Sequence, residues 1–273
     1  MGGSLALALR EAGYVRQVTG CGRSQENLES ALKLKIIDSA TTDPAKAVAG
    51  ADVVLLAVPV GNIGALCKII RPYLDQNAVL TDVGSVKADV VMQVEEAFGE
   101  IPANFVPGHP IAGTEKSGAK AAFSDLYKNR KVILTPLPKT SPDAIKQVQT
   151  MWEKVGAEVE QMSVAHHDKI LAATSHLPHL LAFGLVDSLA RQKDYEEIFC
   201  YAASGFRDFT RIASSDPVMW RDICIHNRSA ILQAMDRYQI DLDRLRQAIE
   251  SGDDDALLEI FSRAKAARDE FAQ

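Results

Sequence analysis

The spacing of apolar positions changes once along the chain, near residue 162. Before that point short apolar runs alternate with amphipathic stretches. Residues 52–58 (DVVLLAV) are a continuous apolar run that stops at Pro59, the pattern of a strand buried on both faces. Residues 78–82 (AVLTD) and 131–135 (KVILT) read the same way. Further strands are expected at 15–21, 104–107 and 158–162. Helical spacing covers 4–12, 25–33, 63–70, 87–98 and 144–155. This alternation predicts an α/β domain over 1–162, built on a doubly wound parallel sheet. After residue 163 strand-like runs vanish. Helical spacing covers 164–174, 178–191, 217–238, 240–251 and 255–271, so an all-helical domain is expected over 163–273.

Composition narrows the function. The 273 residues are 47% apolar and 24% charged, which excludes wholesale disorder. Thirty basic against 36 acidic residues leave a net charge of −6. That argues against a nucleic-acid partner but allows a local basic pocket for a small anion. The densest apolar run, 51–60, falls short of the ~20 residues a bilayer span needs, so no membrane partner is expected. No basic start with an apolar block precedes the fold, and a cytoplasmic location is expected. Cys21, Cys67, Cys200 and Cys224 form no CxxC pair and read as isolated reduced thiols.

The chain opens Met1-Gly2-Gly3-Ser4 directly onto a helical stretch. In dinucleotide-binding folds a strand ends in G-x-G-x-x-G and feeds a helix whose N-terminus holds the pyrophosphate. Gly2, Gly3 and Ser4 match the tail of that turn, with Gly2 as its third glycine. The reading is a Rossmann-type sheet whose first strand and first two glycines are missing from this chain. The next strand ends Gly20-Cys21-Gly22-Arg23-Ser24. NAD binders place an acidic residue near this point for the ribose 2′-hydroxyl. Here Gly22 leaves room, and Arg23 with Ser24 suits a 2′-phosphate, which favours NADP over NAD.

The string Gly108-His109-Pro110-Ile111-Ala112-Gly113-Thr114-Glu115-Lys116-Ser117-Gly118 is unusual. So are Thr81-Asp82-Val83-Gly84-Ser85-Val86-Lys87, Ser175-His176-Leu177-Pro178-His179 and Gly205-Phe206-Arg207-Asp208-Phe209-Thr210-Arg211-Ile212-Ala213. In this order and spacing they resemble the prephenate/arogenate dehydrogenase family of tyrosine biosynthesis, across nearly the whole chain. The resemblance implies oxidation of a cyclohexadienol with loss of carbon dioxide and hydride transfer to NADP or NAD. It implies a homodimer joined through the helical domain.

The resemblance also assigns roles. His109 is expected to accept the hydrogen bond of the substrate 4-hydroxyl, a role suited to a neutral imidazole. Ser85 is expected to orient His109 beside the nicotinamide. Arg211 and Arg207 are expected to hold substrate carboxylates, which arginine grips with two parallel hydrogen bonds. His179 and Thr114 are expected at the substrate, with His176 in support. Cofactor contacts are expected at Val58, Pro59, Asp82 and Ser85, besides Gly2, Gly3, Ser4, Gly22, Arg23 and Ser24. His176 and His179 have no third ligand at metal spacing, so no zinc is expected. His166 and His167 read as surface or capping residues. Trp220 and Asn227 share a helical face and read as core or interface residues. Two alternatives stand beside this reading. One is a catalytically impaired remnant that keeps the helical dimerisation module. The other is a different two-domain NAD(P)-dependent dehydrogenase, against which GHPIAGTEKSG and SHLPH argue.

Overall fold

A computed structural model describes residues 1–113 and 118–271. The chain forms two compact units, 1–228 and 229–273. The first unit opens with α1 (Gly2–Glu11), β1 (Thr19–Cys21), α2 (Gln25–Lys33), β2 (Ser39–Thr41), α3 (Pro44–Val48) and β3 (Val53–Leu56). Next come α4 (Ile63–Ile70), β4 (Val79–Asp82), α5 (Ala88–Phe98), β5 (Phe105–Val106) and β6 (Gly108–Pro110). The α/β part closes with β7 (Lys131–Leu134), α6 (Pro142–Lys154) and β8 (Glu158–Gln161). Helices follow: α7 (Val164–Leu171), α8 (Leu177–Ala190), α9 (Tyr195–Cys200), α10 (Ser204–Thr210) and α11 (Pro217–His226). The second unit is made of α12 (Arg228–Ser251), from Ser229 on, and α13 (Asp254–Phe271).

The apolar runs do form strands, but β3 lies at the end of its three-stranded sheet and buries only Leu56 fully. β4 lies parallel between β3 and β5, and all four of its residues are buried. β1 and β2 pair in parallel, and β7 with β8 likewise. One pairing departs from the parallel expectation: β6 runs antiparallel to β7, with His109 opposite Ile133. Gly-His-Pro has no apolar rhythm to announce a strand, and Pro107 separates it from β5. Among the described residues the strands fall into three sheets, β1-β2, β3-β4-β5 and β6-β7-β8.

Side chains on both faces of the β3-β4-β5 sheet supply the core. Leu5 and Leu9 of α1 join Val132 and Leu134 of β7 and Val148 and Trp152 of α6, and Tyr127 meets Trp152 edge-on at 5.0 Å between ring centroids. On the other side α4 and α5 bury Ile63, Cys67, Ile70, Val90 and Val94 against Leu56, Leu80 and Phe105. Each large side chain buried in this way stabilises the fold by roughly 1.5–3 kcal/mol. Burial in this second cluster, and to a lesser degree the Asp82 charge, pushes the Cys67 thiol up to about 12, so it stays protonated and inert.

The compact units divide at 228/229, whereas the change of apolar rhythm falls at 162/163. Helices α7 to α11 fall in the same compact unit as the α/β layer, with α7 against α5 and α11 against the turn at 60–62. Periodicity reports which type of element forms, and packing is decided by which faces are complementary. Two helix boundaries also differ from periodicity. The stretch 217–238 breaks at Asn227, between α11 and α12, and α12 then runs unbroken to Ser251.

The run Val164–Ala190 is continuously helical, and an 18-residue stretch within it has a mean hydropathy of 1.2, long and apolar enough to cross a membrane by length and composition alone. His167, Asp168 and His176 on this run are buried within the protein, whereas most of the apolar stretch is not. Residues 172–176 form a π turn between α7 and α8. Pro178 has no N–H to give the carbonyl of Thr174, four residues back, which favours the opened turn there.

Candidate active site

The C-terminal end of β4 organises the site. Open parallel sheets place their ligands at this edge. Asp82, the last residue of β4, is fully buried and ion-paired with the equally buried Lys87. Its Oδ2 also accepts the N–H of Gly84 at 2.7 Å, and its Oδ1 accepts that of Gly108 at 3.1 Å. Gly84 is required here, because a Cβ would lie 2.9 Å from Asp82 Oδ2. Lys87 Nζ donates to the carbonyl oxygen of Gly108 at 2.7 Å. The peptide groups on either side of Gly108 are therefore both held from β4 and its loop. Burial pushes the Lys87 ammonium below its ordinary value, while Asp82 and Asp168 oppose that shift.

His109 follows Gly108 and is buried. Its Nδ1 lies 2.8 Å from Nε2 of His167 in α7. Nδ1 of His167 lies 2.8 Å from Oδ1 of Asp168. The Asp168 carboxylate also accepts the backbone N–H groups of Lys87 and Ala88, each at 2.8 Å, at the start of α5. Burial alone would push Asp168 up, but the hydrogen bonds from His167, Lys87 and Ala88 hold it below the usual carboxylate range. His109 is pushed well below the ordinary imidazole value, first by burial and then by His167, Lys87 and His176. It is a neutral ring at neutral pH.

The π turn delivers His176 to the same cluster. His176 Nδ1 lies 3.0 Å from the side-chain nitrogen of Asn227, whose N–H groups also reach the carbonyl of Asp168 at 3.0 Å. Burial takes His176 down to about 4, so it too is neutral. A neutral ring that accepts from Asn227 at Nδ1 carries its proton on Nε2. No described residue accepts from that buried Nε2. His179, one turn on, donates Nδ1–H to the carbonyl of Ser175 at 2.9 Å. Its ring stacks on Trp220 of α11, centroids 3.8 Å apart. Burial lowers His179, the Ser175 bond opposes this, and the charge of Arg211 adds to the lowering, which makes Arg211 its neighbour.

Three buried or half-buried neutral imidazoles and an arginine thus converge at the end of β4. Family models cover this whole arrangement. The nucleotide-binding domain of prephenate dehydrogenase matches residues 5–161, and the dimerization domain of prephenate dehydrogenase matches residues 163–263. The chain belongs to the prephenate dehydrogenase family. It is 40% identical over 243 residues to a cyclohexadienyl dehydrogenase of Zymomonas mobilis, covering 88% of this chain and 82% of that one. It is 36% identical over 273 residues to a prephenate dehydrogenase of Bacillus subtilis, covering 98% and 73%. The crystal structure of an Aquifex aeolicus prephenate dehydrogenase with hydroxyphenyl propionate and NAD+ superposes with a TM-score of 0.92 at 40% identity, over 99% of this chain and 94% of that one.

Within this prephenate dehydrogenase family member the expected site residues fall into three groups. His109, His176, His179 and Arg211 come together as described. A second group lies at the start of α1 and in the turns that follow β1, β3 and β4. Gly2, Gly3 and Ser4 form the first turn of α1, which has no acidic residue and no side-chain cap. A Cβ on Gly2 would stand 3.1 Å from Ala57 Cβ, so glycine permits the close approach of helix to strand. The Ser4 hydroxyl is buried and accepts the N–H of Phe123 at 3.3 Å. Ser24 caps α2, accepting the N–H of Asn27 at 3.2 Å, with Gly22 and exposed Arg23 just before it. Val58 and Pro59 follow β3, and Ser85 lies half-buried between β4 and α5.

The third group departs from expectation. Asp82 has both carboxylate oxygens engaged inside the protein and no exposure, so it supports the Gly108 peptides instead of reaching a cofactor. The partner expected of Ser85, an orienting bond to His109, is made by His167. Arg207 is exposed on the last turn of α10 and forms no ion pair among the described residues. Thr114 lies outside the described residues. His167, which reads as a surface residue in sequence, is wholly excluded from solvent. Its partners are 58 residues away and one residue away, and only the second was visible as a neighbour in sequence.

Proposed function

We propose that this chain oxidises and decarboxylates prephenate, arogenate or both, giving 4-hydroxyphenylpyruvate or tyrosine. The observation that carries the reading is the buried neutral imidazole of His109, in a chain whose relatives carry these activities. A nicotinamide dinucleotide supplies the hydride acceptor when bound. The residues present fit one. The first turn of α1 offers backbone N–H groups without a competing carboxylate, and Gly2 lets that turn sit against the end of β3.

His109 then takes the proton of the substrate 4-hydroxyl as hydride leaves the carbon that bears it. The ring carboxylate departs as carbon dioxide, its bonding electron pair enters the ring, and the ring aromatises. Arg211 and His179 suit the carboxylates of a dianionic substrate, with Arg207 and Thr114 as further candidates. The orphaned Nε2–H of His176 suits an acceptor atom of the same ligand. Ser85 is proposed beside the nicotinamide. For the cofactor, Gly22, Arg23 and Ser24 favour NADP, since no acidic residue ends β1 and an arginine stands beside the turn. NAD is the alternative, and the A. aeolicus relative was crystallised with it. The match of 163–263 to a dimerization domain supports a homodimer. A soluble cytoplasmic enzyme completes the reading.

The test crosses prephenate and arogenate with NAD+ and NADP+ and follows the absorbance of reduced nicotinamide. Turnover with at least one pair is expected. No reduction with any pair would overturn the assignment.

A further inference from the structure

The chain of hydrogen bonds behind His109 has a direction. An ionised carboxylate has no proton to give, so Asp168 can only accept. It accepts from Lys87 N–H, Ala88 N–H and Nδ1 of His167. His167 therefore carries a proton on Nδ1. A neutral His167 then has a bare Nε2, which must accept from Nδ1 of His109. His109 is left with its proton on Nδ1 and a lone pair on Nε2. The opposite polarity needs a second proton on His167, making an imidazolium with no exposure in a neighbourhood that already holds the Lys87 ammonium.

We propose that Asp168 and His167 are positioning residues that fix His109 in the tautomer with Nδ1 protonated and Nε2 bare. The proposal rests on the reading above, in which His109 accepts the proton of the substrate hydroxyl. It assigns the accepting atom and the groups that select it. When Nε2 takes the proton, the new imidazolium already donates Nδ1–H to His167, and the Asp168 charge lies beyond that ring. No dipole has to turn during the reaction, which is how a preorganised site lowers a barrier. Several further bonds hold the relay. Asp168 is pinned by the two N–H groups at the start of α5. Its peptide carbonyl is held by Asn227. Gly108, next to His109, is held by Asp82 and Lys87.

The experiment reads the ring nitrogens directly, by 15N NMR of the full chain labelled at histidine. His109 is expected to show a protonated Nδ1 and a bare Nε2. The Asp168→Asn variant presents an amide that can donate to His167 Nδ1, so both rings are expected to reverse. Its kcat is expected to fall ~100-fold or more, as when the orienting carboxylate of a serine-protease triad becomes an amide. Cofactor affinity is expected to hold. A second pair of variants guards against a folding defect in the first. His167→Gln keeps an acceptor for His109 and is expected to retain more activity than His167→Leu. A wild-type His109 with its proton on Nε2 overturns the proposal. So does a folded Asp168→Asn with undiminished kcat, or equal activity in the two His167 variants. The expected tautomers in a protein that turns over no substrate pair would sink the assigned reaction and leave the tautomer assignment standing.

Discussion

Lys87 Nζ lies 2.7 Å from the carbonyl oxygen of Gly108, and Lys87 has no solvent exposure at all. An ammonium in that position is tolerated because Asp82 pairs with it and because a backbone oxygen takes another of its protons. Lys87→Met keeps the length of the side chain and removes the charge. It leaves Asp82 buried without its partner, an arrangement that costs about 3–5 kcal/mol. Urea denaturation should show a loss of that size. A loss below about 1 kcal/mol would refute a charged pair at this position.

His109→Asn should lower kcat by ~100-fold or more and spare cofactor affinity, because it removes a contact that strengthens only in the transition state. Steady-state kinetics with a separate cofactor titration separates the two. Unchanged turnover would remove His109 from the chemistry.

Arg211→Ala should chiefly raise KM for the substrate. A lost charged hydrogen bond of about 1.5–3 kcal/mol corresponds to roughly a 10- to 100-fold increase. Arg207→Ala is the informative comparison, since Arg207 is exposed and has no ion-pair partner among the described residues. A KM unaltered in Arg211→Ala would reassign Arg211 to structure.

Acid should destabilise the fold through its buried histidines. Burial lowers His176 from 6.5 to about 4 and lowers His109 in the same direction. Below 6.5 the unfolded chain binds protons that the folded chain refuses. Stability is therefore full above pH ~6.5 and falls as pH drops toward ~4, where His176 protonates in the folded state as well. His176 alone accounts for about 3 kcal/mol of that loss. Urea midpoints measured across this window should slide downward. In His176→Asn the slope should be shallower, and an identical slope would contradict the burial argument.

Arg23→Ala should weaken NADP+ more than NAD+, since only the former carries a 2′-phosphate for the guanidinium. Equal effects on kcat/KM for both cofactors would place the selectivity elsewhere.

Much of the fold was legible because it rests on local rhythm. Strands β3 and β4 lie in uninterrupted apolar runs, though only β4 is buried along its whole length, and α2 and α4 follow helical spacing to the residue. β6 was not legible, since Gly108-His109-Pro110 becomes a strand only by pairing with β7. The site divides in the same way. His109, His179 and Arg211 stand in distinctive strings. His167 and Asn227 stand in ordinary helical sequence, and their importance comes from partners 51 to 59 residues away. Asp82 was legible as a site residue but not in its role, because carboxylates that hold a backbone and carboxylates that hold a ligand look alike in sequence.

The π turn at 172–176 bears on all of this. Nine residues separate His167 from His176, about two and a half turns of a regular α-helix, which would send the two rings to opposite sides. The wider turn brings both into contact with one network, His167 through Asp168 and His176 through Asn227. Helix Val164–Ala190 thus behaves like a combination lock whose setting is a residue count. Removing one residue between His167 and His176 would let the helix relax to ordinary winding. The helix would remain, and the eight-residue spacing left behind, about two and a quarter ordinary turns, would keep the two rings on neighbouring faces.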